Sequence, residues 1–591
     1  MSGNAVLRHG PLVQPGKVTF NLWAPAAQTV ALILGGRAFP MQPAPDGWFS
    51  RAVPEAGSGS RYQFEVDGRL RVPDPASHYQ PEDVSGPSEV IDHEFGWRAA
   101  AWRGRPWSEA VIYELHLGSF SAEGTFRGAI AHLDHLVETG ITAIELMPVA
   151  DFAGARNWGY DGVLLFAPDS AYGRPEDLKA LIDAAHERGL MVFLDVVYNH
   201  FGPEGNYLEQ YAPHFFTEDG HTPWGKAIDY RRAPVRAFAI QNALHWLSAY
   251  RFDGLRLDAV HAIRMRGEPD ILRALAEAVG TLAEAEGRHI HLILENDDNA
   301  ADLLAPQRSG GAFRAQWNDD YHHAWHVLLT GETAGYYEDY PRPHAQLFRA
   351  LAQGFVYQGE ASLHRRGARR GQPSRGLPPA AFVNFLQNHD QIGNRPYGER
   401  LSAIASPRAV EAALAVTLLA PFVPLLFMGE EWGAPQPFPF FCDFTGVLAD
   451  AVRNGRRREF AAMFRAARPG EEPPDALALD TFLMTKLDWA GGRAGEAGRR
   501  LTLVRTLLEI RRRHVVPLLQ GCEPLQTAGE IDGHCLRCAW LLGVARLTLQ
   551  ANLSDMAGED RHGRPQGAVI WGNASGDGLP PWHVAWWLEG A

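Results

Sequence analysis

The sequence predicts an α/β protein: a (β/α)8 TIM barrel between an N-terminal β-sandwich domain and a C-terminal all-β domain. Three observations carry this. Eight short apolar segments alternate with helical patterns from about residue 107 to 435, which is the grammar of βα units around a parallel sheet. The residues before about 95 and after about 515 instead alternate apolar and polar between Pro- and Gly-rich turns. The chain has 591 residues, well past the ~250 to 300 at which one hydrophobic core stops growing. We therefore expect domains at 1–95, 96–510 and 511–591.

Runs such as KVTFNLWAP, TVALILGG and YQFEVDG justify the sandwich, and the turn-rich stretch RVPDPASHYQPEDVSGPSEV reads as a linker. The barrel strands are expected in AVIYELHLGSF (110–120), ITAIELMPV (141–149), LMVFLDVVYN (190–199), GLRLDA (254–259), IHLILEN (290–296), FRAQWN (313–318), FVNFLQNHD (382–390) and PLLFMGEE (424–431). After Pro269 a helix would place Ile271, Leu275, Val279 and Leu282 on one face, at steps of three and four. Residues 201–230 form an insertion rich in Gly, Pro, His and aromatics, and loops that long inside a compact domain are more often functional than accidental. The stretch HRRGARRGQPSRG (364–376) is basic and Gly-rich and reads as a mobile surface loop. HCLRCAWLLGV, ARLTLQANLS and HVAWWLEG supply the C-terminal strands.

The net charge of −14 disfavours nonspecific binding to nucleic acid and anionic membranes, and leaves a neutral substrate without a charge barrier. Neither a secretory signal nor a run of ~18 apolar residues is evident, so we expect a cytoplasmic chain with no membrane partner. Four cysteines do not make a disulfide framework, and the lone CxxC of Cys535 and Cys538 has no second pair to hold a metal.

Barrel enzymes build their sites at the C-terminal ends of the strands. Polar residues fall there: Asp195, Asn199 and His200 after the third strand, and Arg256, Asp258 and His261 on the fourth. Glu295, Asn296 and Asp297 end the fifth, and Asn388, His389 and Asp390 the seventh. In GLRLDAVH, Arg256 and Asp258 share one face of a strand, an expensive pairing for a core. Three carboxylates, Asp258, Glu295 and Asp390, converge on one rim. Crowding raises the pKa of at least one of them, and a protonated acid beside an ionised carboxylate is the equipment of glycoside hydrolysis. We expect neither a catalytic metal nor a cofactor, since no HExxH or EF-hand pattern occurs.

DVVYNH (195–200), GLRLDAVH (254–261), LILEND (292–297) and FLQNHD (385–390) resemble, in order, the four motif regions of the α-amylase superfamily, glycoside hydrolase family 13. The resemblance spans about residues 100–435. It implies that Asp258 is the nucleophile, Glu295 the general acid then base, and Asp390 the transition-state stabiliser. It implies further that Arg256 orients the nucleophile, that His200 and His389 contact the sugar, and that Tyr160 of NWGYDGV stacks on it. His261 joins them as a substrate contact. The N-terminal domain becomes a carbohydrate-binding-like module.

Within the superfamily, ADFAGARNWGYDGV, LENDDN, QNHDQIGNR and LFMGEEW are most similar to the trehalohydrolase group. The implied substrate is maltooligosyl trehalose, cut at the α-1,4 bond next to its terminal α,α-trehalose, with a maltooligosyl trehalose synthase as functional partner. The alternative is a 1,4-α-glucan branching enzyme, which the Glu295-Asn296-Asp297 sequence disfavours. Candidates for recognising trehalose are Trp224 in the insertion, Asp319 in the WNDDYHH loop (317–323) and Glu431 after the eighth strand.

Overall fold

The computed structural model describes residues 8–222, 225–263, 270–305, 313–459, 461, 472–521, 524–559, 563–573 and 578–590. Trp224 lies outside them. Eight parallel strands close the barrel: β1 (Ile112–Leu115), β2 (Ala143–Leu146), β3 (Met191–Val196), β4 (Gly254–Leu257), β5 (His291–Leu294), β6 (Phe313–Trp317), β7 (Phe382–Phe385) and β8 (Val423–Phe427). β8 returns to β1, with Leu425 opposite Ile112.

All eight predicted strands are present, each shorter than its apolar run. Polar residues at the strand ends leave the ladder for turns and caps. The seventh stops at Phe385, and Asn388 caps a short helix, His389–Gly393, by accepting the Asp390 N–H at 2.9 Å.

Period-two alternation sorts the strand residues. Ile112, Met191, Phe193, Ile293, Trp317, Phe385 and Leu425 fill the lumen as a closed core. Leu255 and Leu257 of β4 belong to the larger core shared with the surrounding helices. Above the apolar filling the lumen turns polar: Glu114 lies opposite Glu145, and Asp195 opposite Arg256.

The helices that matter to the site are α1 (Pro175–Glu187), α2 (Ala233–Ala249), α3 (Ile271–Glu286) and α4 (Asp319–Thr330). α3 is the helix expected after Pro269. The Asp270 carboxylate accepts the Leu272 and Arg273 N–H groups at its start, and Ile271, Leu275 and Val279 are buried. It ends at Gly287, whose φ of 60° is the left-handed conformation that glycine adopts without a Cβ clash.

Before the barrel, two antiparallel sheets pack face to face. One contains Lys17–Trp23 and Trp48–Val53, the other Val30–Leu34 and Arg61–Val66. Phe20 of the first meets Tyr62 of the second at 4.7 Å between ring centroids. At the other end a five-stranded sheet runs from Thr527 to Glu589, and the Trp540 and Trp586 indoles donate to the Leu351 and Ala415 carbonyls of barrel helices. Cys535 and Cys538 are buried in this sheet.

The insertion at 201–230 is built, not loose. A turn of helix (Leu208–Tyr211) and a hairpin (Phe216–Thr222 with Gly225–Ile228) follow β3, and Phe215 packs on Trp23 of the first domain. The basic stretch at 364–376 corrects its reading as a mobile loop. It belongs to a hairpin, Gln358–Ala361 with Arg369–Gly371, and Arg370 is buried. The physical reason is electrostatic: its arginines are anchored by carboxylates on the barrel rim, described below. No helix among the described residues is long and apolar enough to cross a membrane.

Candidate active site

Arg256 is the centre of the site. Its Nη1 donates to Asp195 Oδ2 and to Asp258 Oδ1, both at 2.8 Å, and its Nη2 lies 3.8 Å from Glu295 Oε2. The guanidinium carbon sits 4.1 Å from the Trp317 ring centroid, so cation–π attraction holds the plane from below. The Arg256 side chain is 0% exposed, whereas Asp258 is 16%, Glu295 14% and Asp390 46% exposed. The carboxylates reach the mouth of the barrel and the cation does not.

Asp258 is fixed from both sides. Its other oxygen accepts the Asn199 amide at 2.8 Å. Ala259 follows it with φ 42°, a left-handed conformation that costs a non-glycine residue about 1 to 2 kcal/mol. That turn aims the Ala259 N–H at Glu295 Oε2, 2.5 Å away, so backbone strain ties the two carboxyl groups together. Burial raises the Glu295 carboxyl well above its usual range; Arg256 opposes this, while Asp258, Asp319 and Asp390 add to it. Glu295 is therefore the carboxyl of the catalytic group that burial disposes towards holding a proton. Burial also raises Asp195, to about 6, although Arg256 pulls it back.

Asp390 behaves in the opposite way. Burial disfavours its charge, but His389, with Nε2 at 3.4 Å, holds it below the ordinary carboxylate value. His389 is itself clasped by Glu114, which meets Nδ1 at 2.5 Å and accepts the backbone N–H at 3.2 Å. Desolvation lowers the imidazole, yet Asp390 and Glu114 outweigh it and raise it well above its usual value. Glu114, His389 and Asp390 form a buried carboxylate–imidazolium–carboxylate chain reaching the mouth. Beside it, burial raises the Glu145 carboxyl well above its usual range, helped by Glu114 and Asp195.

The remaining predicted residues divide. Tyr160 donates to Asp195 Oδ2 at 2.6 Å and stacks on His389, with centroids 5.1 Å apart. His200 donates from Nε2 to the Tyr160 carbonyl at 2.8 Å, and His261 Nδ1 faces the Asp297 N–H at 3.4 Å. Asp319 is the first residue of α4, where burial, then Asp297 and Asp390, raise its carboxyl to about 7. WNDDYHH is thus a strand end and a helix start rather than a loop. Glu431 stands apart: it is fully buried, and its Oε1 accepts from Tyr113 and His135, each at 3.0 Å.

Sequence reasoning passed over Glu114, Glu145 and the clamp on Asp297. Arg365 Nη2 approaches Asp297 at 2.5 Å and Arg370 Nη2 at 3.1 Å, while Arg370 Nη1 reaches Asp320 at 2.9 Å. For Glu114 and Glu145 a signal existed, since each sits between apolar residues in IYEL and IEL as Arg256 does in GLRL. The clamp joins residues about 70 apart and left none.

A closed parallel barrel whose rim carries an oriented carboxylate, a carboxyl with a raised pKa and a third, histidine-bound carboxylate defines a glycoside hydrolase of the α-amylase class. The alpha amylase catalytic domain profile matches residues 96–224, and carbohydrate-binding module 48, the isoamylase N-terminal domain, matches residues 8–77. A malto-oligosyltrehalose trehalohydrolase from Deinococcus radiodurans is 42% identical over 92% of this chain and 88% of its own. One from Saccharolobus solfataricus is 41% identical over 80% and 82%. The chain belongs to the malto-oligosyltrehalose trehalohydrolase family. A crystal structure from Salmonella typhimurium, described as a candidate alpha amylase, superposes with a TM-score of 0.94 at 44% identity, covering 98% of this chain and 99% of that one. A 1,4-alpha-glucan branching enzyme from Frankia casuarinae is more distant, at 28% identity over 80% of this chain and 62% of its own.

Proposed function

We propose that the chain hydrolyses the α-1,4 bond next to the terminal α,α-trehalose of maltooligosyl trehalose, releasing trehalose and a maltooligosaccharide with retention of configuration. The observation that carries this is the pairing of a guanidinium-held Asp258 with Glu295, whose carboxyl burial raises well above its usual range, in a chain about 40% identical to trehalohydrolases over most of its length. Glu295 gives its proton to the glycosidic oxygen as the Asp258 oxygen bonds to the anomeric carbon, and trehalose leaves. Glu295, now ionised, takes a proton from water, the water oxygen attacks the same carbon, and the ester to Asp258 breaks. Asp390 and His389 grip the ring hydroxyls, Tyr160 stacks on the ring, and His200 and His261 line its approach. Asp319, a half-buried carboxyl, faces the trehalose side. Neither step calls for a metal or a cofactor.

Incubation with maltooligosyl trehalose tests the reading: free trehalose is expected by chromatography, and amylose is expected to show no branching shift in iodine staining. Branching without trehalose release would replace hydrolysis by transfer.

The acid assignment has its own signature. Glu295→Gln is expected to lower kcat/KM by about 10² to 10⁴ and to remove the alkaline limb of the pH–rate profile. That limb arises as the raised carboxyl of the native enzyme loses its proton. An unchanged limb in the variant would assign it to another group.

Glu114 acts through His389 and is a positioning residue. Glu114→Gln removes a charge-assisted contact, of a kind that contributes about 1.5 to 3 kcal/mol. NMR titration should then show the His389 imidazolium losing its proton at lower pH, together with a fall in kcat larger than any change in KM.

We further place the enzyme in the cytoplasm, downstream of a maltooligosyl trehalose synthase. The division at 1–95, 96–510 and 511–591 is our reading of its domains.

A further inference from the structure

Three histidines meet away from the active site, where the linker behind the N-terminal sheets crosses the barrel's outer face. His78 lies in the linker and His93 in the segment that directly follows it, while His245 belongs to α2. All three pairs of rings are in contact. His78 stacks on His245 at 4.6 Å, and His93 stands edge-on to His245 and to His78, at 4.9 Å from each. One ligating nitrogen from each ring lies within 4.8 Å of the others.

His245 makes an outer hydrogen bond, while His93 and His78 hydrogen-bond to each other. His245 donates its Nε2–H to the Phe166 carbonyl at 3.1 Å, which leaves Nδ1 with its lone pair. That is the outer contact that orients metal-bound imidazoles. His93 Nε2 and His78 Nδ1 are 3.1 Å apart, close to the edge of about 3.3 Å in a tetrahedron with metal–nitrogen bonds of about 2.0 to 2.1 Å. The other His93 nitrogen, Nδ1, is buried with no hydrogen-bond partner.

An imidazole with its ordinary pKa of about 6.5 is mostly uncharged at neutral pH and then offers one lone pair to a metal. The cluster contains no carboxylate. The neighbouring cation is Lys179 of α1, whose ammonium donates to the His93 carbonyl at 2.7 Å and which burial lowers to about 8. An all-nitrogen site beside an ammonium does not suit Ca²⁺ or Mg²⁺, which require oxygen ligands, and suits the borderline ions that imidazole prefers.

We propose that His78, His93 and His245 bind one divalent ion of the zinc class, which pins the linker to α2. The proton shared by His93 Nε2 and His78 Nδ1 moves to the other nitrogen of its own ring when the metal takes its place, so no net proton is lost. The ion is structural: its ligands come from the linker, the segment after it and an outer helix, and none belongs to the catalytic group.

The test uses tag-free full-length protein, stripped with a chelator. Calorimetric titration with Zn²⁺ is expected to show one ion per chain, and Co²⁺ to give the visible absorption of tetrahedral nitrogen coordination. Zn²⁺ should raise Tm, because it binds only the folded state, while hydrolysis stays unchanged on stripping. His93→Gln and His245→Gln should each weaken binding at least tenfold. If His245→Gln does not fold, His78→Gln takes its place. Absence of saturable binding by the native chain, or equal binding by the His93→Gln chain, overturns the proposal.

Discussion

Asp258→Asn is expected to abolish turnover, lowering kcat by about 10⁴-fold or more, on the scale seen when covalent nucleophiles are removed. The amide keeps the shape of the carboxylate and can still accept the Arg256 Nη1–H, now at 2.8 Å from Oδ1. It cannot form the ester bond to the anomeric carbon, because a neutral amide oxygen is a poor nucleophile. The fold, its melting temperature and binding of maltooligosaccharide should therefore persist, measured by circular dichroism and calorimetry. Turnover within tenfold of the native enzyme would move the nucleophile to another carboxylate.

Arg256→Met should be the most destabilising single change at the site. The substitution leaves two carboxylates, Asp195 and Asp258, facing each other without the cation that both contact. Breaking a buried pair from one side costs about 3 to 5 kcal/mol, which denaturant unfolding measures directly. The cost should depend on pH in a defined direction. Burial already raises Asp195 to about 6 while Arg256 pulls it down, so losing Arg256 raises it further above its unfolded value. A group whose folded pKa is raised favours the folded state at low pH and loses that contribution as pH rises through the folded pKa. The penalty is thus expected to be largest near pH 8 and to shrink towards pH 5. A penalty independent of pH would mean that Asp195 is not the group left uncompensated.

Much of this site was legible in the chain itself. In GLRLDAVH the period of two set Arg256 and Asp258 apart from Leu255 and Leu257, and the structure sends the first pair to the lumen and the second to the helices. Strand-end positions alone brought Asp258, Glu295 and Asp390 to one rim, because a closed barrel presents all its C-terminal ends at one mouth. The same alternation in IYEL held Glu114, yet a single glutamate between apolar residues has no chemistry until His389 is found against it. The basic segment at 364–376 was misread for a related reason. Charge and glycine content describe a solvated loop, and only the carboxylates of Asp297, Asp298 and Asp320 turn its arginines into anchors.

The barrel and the chemical identity of its rim are written in the chain, since both follow from local alternation and from the order of the strands. Which groups meet is settled by the folded chain: Arg256 between Asp195 and Asp258, Glu114 behind His389, the arginine clamp on Asp297, and the cluster of His78, His93 and His245. These depend on distances of a few ångströms between residues tens to hundreds of positions apart. Coulomb and desolvation energies are set by those distances and by burial, and neither quantity is written along the chain.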